Sequence, residues 1–465
     1  MWLQYILSFF SLHLVVVVVA VTHTLLYVRD SRAAFGWIAL ILVFPFAGAL
    51  LYALFGINRV RRKAQRISHG TEIEPDKGYA TDQLADGVLR NRPGYNVTGR
   101  RLSEGNRVAT LYNGEQAFPE MLNAIDHAQK EVLLSSYIFD HDDTGITFVN
   151  KLVSARDRGC AVCVLVDDAG IRYSLPTIIR LLKEHKLPYR RFMPFKLIPP
   201  SFSINLRNHR KILVTDRNLA FAGGMNIGDR QLVDGASSHR ASDLHFQFEG
   251  PVVGDLVELF ADDWRFSKGE PLRPWYSEGS TEGPARCRLI SDGPDDTLDS
   301  MMLVIMGAIA SASSRVWIMT PYFLPERQML GCLQAAALSG VDVQVMIPEK
   351  NNWPVVQWAL QHNMAELLGT GVKILRRPPP FAHSKCMIID DDYAMVGSSN
   401  MDPRSLRLNF ELGVEVFEPE LNRELAEHFQ EQAAKCPAFT QQELIARRTL
   451  ARLRDSSSAL FTPYL

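Results

Sequence analysis

The chain has 465 residues, of which 47% are hydrophobic and 22% are charged, and its formal net charge is −1. This length accommodates two domains in addition to a membrane region. The near-neutral charge balance gives no support for nucleic-acid binding, which normally needs a strongly basic surface. The six cysteines are scattered along the chain, which is typical of a reducing compartment.

Two long apolar segments come first. Residues 1–28 and 33–57 contain no Asp, Glu, Lys or Arg, and each exceeds the ~20 residues that cross a bilayer. Only four residues separate them, so the sequence predicts two transmembrane helices forming a hairpin over residues 1–58. Pro45 lies inside the second segment, where a membrane helix tolerates it as a kink. A pair of buried soluble helices is the alternative.

Basic residues follow the second apolar segment. They are Arg59, Arg61, Arg62, Lys63 and Arg66. The positive-inside rule then places the catalytic region in the cytoplasm and the hairpin turn outside. The polar composition, with Gly and Pro, makes residues 59–106 a basic juxtamembrane segment and linker.

Residues 107–275 and 276–437 resemble each other. In each half, an apolar run ending at Tyr137 or Tyr322 is followed by a helical stretch and a second apolar run. Strands that alternate with helices are typical of an α/β sandwich. Two similar lobes predict one ligand pocket at their interface, since clefts between lobes are common ligand sites.

One motif occurs once in each lobe, and two copies at the same spacing are hard to explain by chance. Side chains alternate along a strand, so the His and Lys of each copy project to one face. The two copies are His209, Lys211, Asp216 and Asn226 in the first lobe, and His383, Lys385, Asp390 and Asn400 in the second.

These residue types suit a phosphodiester. Lysines and amides neutralise charge on the transferring group. One neutral imidazole can attack phosphorus while a second imidazolium protonates the leaving oxygen, and an ordinary histidine pKa near ~6.5 permits both roles. No metal and no cofactor is expected, because the lysines supply the positive charge. For Asn226 and Asn400, stabilisation of a turn is the alternative role.

The repeated motif resembles the paired catalytic signature of the phospholipase D superfamily. The wider chain is similar to bacterial cardiolipin synthases, which join two phosphatidylglycerol molecules and release glycerol. The similarity includes the apolar N-terminal segments, Thr320-Pro321-Tyr322-Phe323, and the stretch from Asn400 to Glu411. It implies two phospholipase D-like α/β sandwich lobes with a shared interface site, preceded by the transmembrane hairpin. It also implies a multi-pass protein of the bacterial inner membrane with phospholipid substrates and no nucleic-acid partner.

The resemblance also implies roles for the histidines. His209 would be the nucleophile that forms a phosphatidyl-histidine intermediate. His383 would protonate the departing glycerol and then activate the hydroxyl of the second lipid. Asp243 would orient His209 and Glu411 would orient His383, since a carboxylate on Nδ1–H fixes the tautomer. An ordinary surface acid is the alternative for both carboxylates.

The remaining motif residues would bind phosphate or anchor the chain. Lys211, Lys385, Asn226 and Asn400 would hold the phosphate. Ser398 would help on one side only, because Gly224 occupies the matching position. Asp216 and Asp390 belong to the catalytic motif but are interpreted as turn and strand-end anchors.

Two further segments are candidates for lipid contact. Residues 190–202 mix basic and bulky apolar side chains and predict either a lid at the headgroup layer or an ordinary strand and loop. Residues 438–465 form a basic amphipathic tail, which predicts either an interfacial helix or a frayed terminus.

The motif residues are compatible with several functions. Water as the acceptor would make the protein a hydrolytic phospholipase D, and the choice depends on pocket shape and water exclusion. Phosphatidylethanolamine as a co-substrate is a further variant. A non-catalytic membrane scaffold would have no need of four matched His and Lys positions, and a nuclease would require a basic groove with stacking aromatics. The oligomeric state is not indicated.

Overall fold

The computed structural model describes residues 2–28, 31–56, 90–194, 206–272, 282–293 and 299–462. The chain forms two compact units, Met1–His69 and Gly70–Leu465. The basic residues between 59 and 66 lie outside the described residues, as does most of the predicted linker.

The first unit is helical. It contains α1 (Trp2–Tyr27), α2 (Ser31–Val43) and α3 (Pro45–Leu51), and a turn of π-helix follows at Tyr52–Gly56. The second apolar segment is divided at Pro45, because proline lacks the N–H of a helix interior but fits a helix start. In the part of the chain that the structure describes, no helix is long and apolar enough to cross a membrane. The predicted transmembrane hairpin is therefore not confirmed and stays a prediction.

The second unit contains two large sheets. Its strands in chain order are β1 (Ser103–Gly105), β2 (Arg107–Tyr112), β3 (Glu131–Ser136), β4 (Ala161–Asp167), β5 (Tyr189–Phe192), β6 (Ile212–Thr215), β7 (Leu219–Gly223), β8 (Ala241–Ser242), β9 (Leu244–Glu249), β10 (Gly283–Asp292), β11 (Arg315–Met319), β12 (Asp342–Pro348), β13 (Lys373–Arg377), β14 (Phe381–Ala382), β15 (Cys386–Ile389), β16 (Tyr393–Gly397) and β17 (Glu411–Phe417).

Helices cover the sheets. In chain order they are α4 (Asn91–Thr98), α5 (Asn113–His127), α6 (Asp143–Asp157), α7 (Ile179–Glu184), α8 (Val252–Phe266), α9 (Ser300–Ala310), α10 (Arg327–Leu338), α11 (Pro354–Leu368), α12 (Pro403–Arg407), α13 (Pro419–Ala433), α14 (Gln441–Ile445) and α15 (Thr449–Ala459).

The two sheets repeat one topology. The first has the strand order β2-β9-β7-β6-β3-β4-β5, and the second has β1-β10-β17-β16-β15-β11-β12-β13. Apart from β1 the orders correspond strand for strand. In both, the motif hairpin (β6–β7 or β15–β16) is antiparallel, and the strands beyond it (β3-β4-β5 or β11-β12-β13) are parallel. The predicted pair of similar α/β lobes is confirmed.

One hydrophobic core joins the lobes. On α8 of the first lobe, Val253, Leu256 and Phe260 recur at helical spacing and are buried, and on α13 of the second lobe Leu425 and Phe429 do the same. All five belong to one cluster of buried side chains that contains residues of both sheets. Helices with one apolar stripe bury it against a partner layer, so the lobes are held together by a common interior.

Part of the predicted linker is structured. Strand β1 pairs antiparallel with β10, with Ser103 opposite Cys287. The guanidinium of Arg90 contacts the carboxylates of Asp390 and Asp392. Residues 90–105 therefore belong with the second lobe, although polar composition predicted a linker up to residue 106.

The predicted lid is partly an ordinary strand. Residues 189–192 form the edge strand β5, and Phe192 is buried against Phe266 and Phe410. Residues 195–202 lie outside the described residues. Within the predicted tail, α14 and α15 are formed, and residues 463–465 lie outside the described residues.

Candidate active site

The two motif histidines are brought together by backbone pairing between the lobes. The N–H of His209 donates to the carbonyl of Phe410 at 2.9 Å, and the N–H of His383 donates to the carbonyl of Ser242 at 2.8 Å. Short parallel pairings extend both contacts, β14 with β8 and residue 208 with residue 410. Each histidine thus lies beside a segment of the other lobe in which the next residue is an acid, Glu411 after Phe410 and Asp243 after Ser242.

Each histidine contacts the carboxylate of the opposite lobe. His209 Nδ1 lies 3.0 Å from Glu411 Oε1, and His383 Nδ1 lies 2.7 Å from Asp243 Oδ2. The predicted pairing of Asp243 with His209 and of Glu411 with His383 is wrong. The physical reason is the backbone pairing, which places Glu411, next to Phe410, at His209 and places Asp243, next to Ser242, at His383.

The contacts fix one tautomer. A histidine whose Nδ1–H donates to a carboxylate presents the lone pair of Nε2 to the site. Both imidazoles are therefore arranged to use Nε2 for attack or for proton transfer.

Burial sets the charge of the site. It lowers the pKa of His209 and His383 to about 4, and the neighbouring carboxylates only partly oppose this effect. Burial on its own would raise the pKa of Asp243 and Glu411, but the neighbouring histidines and lysines outweigh it, and both pKa values lie below the ordinary range. Near neutral pH the site holds neutral imidazoles and ionised carboxylates.

The two lysines occupy equivalent places. Lys211 Nζ donates to the carbonyl of His209 at 2.5 Å, and Lys385 Nζ donates to the carbonyl of His383 at 2.6 Å. Burial lowers the pKa of Lys385 to about 8 and that of Lys211 well below its ordinary value. Buried ammonium groups are stabilised by an anion, and a phosphate contact of the two lysines remains a prediction.

The two asparagines take part in local hydrogen bonds. Asn226 Oδ1 accepts from the N–H of Ile138 at 3.1 Å, and Asn400 Nδ2 donates to Ser405 Oγ at 3.0 Å. These bonds support the turn-stabilising alternative. A phosphate contact through the side-chain N–H groups remains a prediction.

Ser398 supports Glu411 instead of facing a phosphate. Its hydroxyl donates to Glu411 Oε2 at 2.5 Å and accepts from the N–H of Leu412 at 3.0 Å, and its side chain is fully buried. The predicted phosphate contact of Ser398 is thus corrected to a positioning role. Gly224 in the first lobe has no room for the same group, because a Cβ there would lie 2.7 Å from Asp243 Oδ1.

Asp216 and Asp390 lie at the turns of the motif hairpins. The Asp216 carboxylate accepts from the N–H groups of residues 129, 130 and 131 at 2.8, 2.7 and 2.9 Å. Asp390 accepts from the N–H groups of residues 313, 314 and 315 in the second lobe. Both have positive φ, which aspartate tolerates in turns. They anchor the start of β3 and β11, in agreement with the anchor interpretation.

Two neighbours of the site were not predicted. Tyr137 packs edge-on against His209, with ring centroids 5.0 Å apart, and Lys211 Nζ lies 5.5 Å from the Tyr137 ring centroid. Arg210 forms an ion pair with Asp263 at 2.6 Å and donates to the carbonyl of Glu411 at 2.9 Å. Residues 209–211 precede β6, which begins at Ile212. The available signal for Arg210 was the alternation predicted for this extended segment, which would turn the residue between His209 and Lys211 to the opposite face.

Comparisons with known proteins identify the family of this chain. The family described as "Cardiolipin synthase, PLD-like domain" matches residues 121–263 and 305–433, and the family "Phospholipase_D-nuclease N-terminal" matches residues 15–56. Cardiolipin synthase A of Pseudomonas aeruginosa is 31% identical, over 96% of this chain and 94% of its own length. Cardiolipin synthase 2 of Bacillus cereus is 31% identical over 94% of this chain and 88% of its own length.

A solved structure shares the fold. The crystal structure of phosphatidylserine synthase from Haemophilus influenzae matches with a TM-score of 0.62 and 14% identity, covering 81% of this chain and all of that one. The N-terminal match and the named relatives indicate membrane association. The chain belongs to the cardiolipin synthase family of phospholipase D-like proteins.

Proposed function

We propose that this protein makes cardiolipin by transferring the phosphatidyl group of one phosphatidylglycerol to another, with release of glycerol. Membership of its family makes it a phosphatidyltransferase of the phospholipase D type. The observation that carries the proposal is the pair of His–carboxylate contacts crossed between the lobes, with two buried lysines beside them.

In the first step, Nε2 of neutral His209 attacks the phosphorus of phosphatidylglycerol. The bond from phosphorus to the oxygen of the headgroup glycerol breaks, and His383 in its protonated form gives its proton to that oxygen. Lys211 and Lys385 balance the charge on the phosphoryl oxygens. Glycerol leaves and a phosphatidyl-histidine remains.

In the second step, His383 is neutral and takes the proton of the terminal hydroxyl of a second phosphatidylglycerol. The hydroxyl oxygen attacks phosphorus, and the bond from phosphorus to His209 breaks. His383 ends protonated, as it began, so no net proton is consumed.

The first step requires a protonated His383, whose pKa in the free site is about 4. A bound phosphodiester brings a negative charge close to the imidazole, and a nearby opposite charge favours the protonated form. Substrate binding therefore raises the pKa of His383 and the fraction of it that is protonated.

The finer membrane assignment is part of this proposal. The N-terminal apolar segments would form two spans in the bacterial inner membrane, with the lobes on the cytoplasmic side. The lack of charged residues in both segments and the basic residues from 59 to 66 support this arrangement. Labelling of single cysteines placed near residue 30 and near residue 66, with a reagent that does not cross membranes, tests the orientation.

The direct test of function uses purified protein and phosphatidylglycerol alone, with the lipid products resolved by mass spectrometry. Cardiolipin with an equal amount of glycerol is the expected result. Phosphatidic acid without cardiolipin would identify a hydrolytic phospholipase D. Cardiolipin that appears only after phosphatidylethanolamine is added would identify that lipid as the co-substrate.

A further inference from the structure

The C-terminal helix α15 exposes its apolar side. Leu450, Leu453, Leu460 and Phe461, on the helix and just after it, are 80%, 59%, 79% and 59% exposed. The side that faces the protein carries small and polar residues, since Asp455 and Ser458 are buried and Ala459 packs partly buried against the core. A surface helix normally buries its large apolar side chains, whereas α15 leaves its large apolar side chains exposed.

Specific contacts hold the helix in this orientation. The buried carboxylate of Asp455 pairs with Arg447 Nη2 at 2.6 Å and with Arg454 Nη2 at 2.9 Å. The Arg454 guanidinium lies 4.5 Å from the ring centroid of Trp358 on α11, and Ser456 Oγ lies 3.1 Å from His362 Nδ1 on the same helix. Rotation of α15 to bury its leucines would break these contacts and leave charges unpaired, which is costly.

The surroundings of the exposed leucines are basic. Residues 441–462 contain four arginines, at 447, 448, 452 and 454, against two acids, Glu443 and Asp455, whereas the whole chain has a net charge of −1. Arg448 and Arg452 are exposed. Apolar side chains next to exposed cations suit the headgroup boundary of an anionic membrane, where both are stabilised.

We propose that α15 seats on an anionic phospholipid surface through Leu450, Leu453, Leu460 and Phe461, with Arg448 and Arg452 in contact with headgroup phosphates. We call this set the C-terminal lipid face. The proposal rests on the proposed function only for the choice of phosphatidylglycerol as the anionic lipid.

The helix under this face leads to the active site. Helix α11 begins beside Trp353, which is exposed, and Asn352, whose Oδ1 accepts from the hydroxyl of Tyr322 at 2.8 Å. The Tyr322 ring lies 6.3 Å from that of Phe381, which lies 6.1 Å from the ring of His383. A lipid surface bound at α15 is thus connected to His383 through one helix and two aromatic rings.

Hydrogen exchange of the full-length protein tests the proposal. The protein is reconstituted in phosphatidylcholine vesicles, with or without phosphatidylglycerol, and exchange is measured on peptides that cover residues 449–461. We expect phosphatidylglycerol to slow exchange in these peptides by about tenfold, the factor that corresponds to 1.4 kcal/mol of added local stability. The double variant Leu450→Glu/Leu453→Glu should lose this effect. Leu338→Glu, at a 71% exposed leucine on the end of α10, is the matched control and should keep it.

Other outcomes would overturn the proposal. Equal exchange rates with and without phosphatidylglycerol would show that α15 does not bind an anionic surface. Slowing that persists in the double variant would show that Leu450 and Leu453 do not contact the lipid. Slowing in lipid-free detergent that grows with protein concentration would identify a second copy of the chain as the occupant.

The proposal and the proposed function fail separately. The double variant should still make cardiolipin from detergent-dispersed phosphatidylglycerol at the wild-type rate, because the active site is unchanged. If the wild type makes no cardiolipin but shows the lipid-dependent slowing, the proposed function fails and the C-terminal lipid face stands.

Discussion

Glu411 of the second lobe accepts the Nδ1–H of His209 in the first lobe across 3.0 Å, and Asp243 of the first lobe does the same for His383 at 2.7 Å. Neither lobe by itself contains a complete His–carboxylate pair. The proposed chemistry therefore needs both lobes, because each contributes one histidine and the carboxylate that contacts the other histidine.

The crossed pairing predicts which acid serves which step. Loss of a carboxylate from such a pair removes the tautomer control and the stabilisation of imidazolium, so we expect Glu411→Gln and Asp243→Asn each to lower turnover roughly a thousandfold or more. Glu411→Gln should slow mainly the formation of the phosphatidyl-enzyme, whereas Asp243→Asn should slow both that step, which includes glycerol release, and the later transfer to the acceptor. Rapid-quench kinetics separates these steps.

The control for this pair of variants is Glu420→Gln, at an exposed acid on α13, which should keep full turnover. A double-variant cycle gives the decisive comparison. If changes at His209 and Glu411 are independent while His209 and Asp243 are coupled, the crossed assignment is wrong.

Ser398, whose counterpart in the first lobe is Gly224, gives a second prediction. Ser398→Ala removes a hydrogen bond to the ionised Glu411, so turnover should fall by roughly tenfold while the fold persists. Gly224→Ser introduces a Cβ at 2.7 Å from Asp243 Oδ1, so it should displace that carboxylate and lower turnover further. Steady-state kinetics of both variants, with a crystal structure of each, test whether Gly224→Ser loses more turnover than Ser398→Ala. Full activity of Gly224→Ser would contradict the prediction.

The sequence predicted the lobes well because the repeated motif and its turns are local signals. The apolar runs at 212–214 and 387–389 formed the first strands of the two motif hairpins, and the duplication became two sheets of one strand order. The Asp216 and Asp390 anchors followed from their position in the turns. These features depend on neighbouring residues, which is the information that a sequence carries directly.

The crossed carboxylates could not be predicted in the same way. Their partners depend on the pairing of Phe410 with His209 and of Ser242 with His383, which joins residues far apart in the chain. Asp243 was assigned to His209 because it follows the first motif in the chain. The backbone pairing between the lobes places Glu411 beside His209 instead. The docking of residues 90–105 was missed for a related reason, since Arg90 is held by acids of the second lobe.

The motif aspartates should matter for stability more than for chemistry. Asp390→Ala leaves the N–H groups of residues 313–315 without their acceptor and removes one of the two carboxylates that contact Arg90, so we expect the free energy of unfolding to fall by about 2 kcal/mol or more. The described bonds of Asp216 include no arginine contact of this kind, so Asp216→Ala should lower the free energy of unfolding by less. Urea unfolding in detergent measures both, and an inactive Asp390→Ala of unchanged stability would contradict the anchor role.

Arg210 should be a structural link between the lobes. Arg210→Met leaves the buried carboxylate of Asp263 without its partner, which typically costs about 3–5 kcal/mol. Arg423→Met, which removes an exposed pair on α13, should cost under ~1 kcal/mol. Arg210 also donates to the carbonyls of Glu411 and Asp292 in the second lobe. Denaturant unfolding compares the two variants, and equal stabilities would show that Arg210 does not link the lobes.

Acid should destabilise the protein through the two histidines. Burial lowers their pKa from 6.5 to about 4, so between these values the unfolded chain binds more protons than the folded protein. The free energy of unfolding therefore falls as the pH is lowered from 6.5 to 4. The Tm should drop across this window, and it should drop less in His383→Asn than in the exposed-residue control His239→Asn. Parallel Tm profiles for the two variants would refute the assignment.

Trapping of the covalent intermediate tests the central claim most directly. His383→Asn lacks both the acid of the first step and the base of the second, so the trap needs a donor whose leaving group departs without a proton. Phosphatidyl-4-nitrophenol labelled at phosphorus should therefore leave its label on the protein. Mild digestion and mass spectrometry should place the phosphatidyl group on the peptide that contains His209, and His209→Asn/His383→Asn should carry none. Label on any other residue, or turnover by His209→Asn with no trapped species, would contradict the two-histidine mechanism.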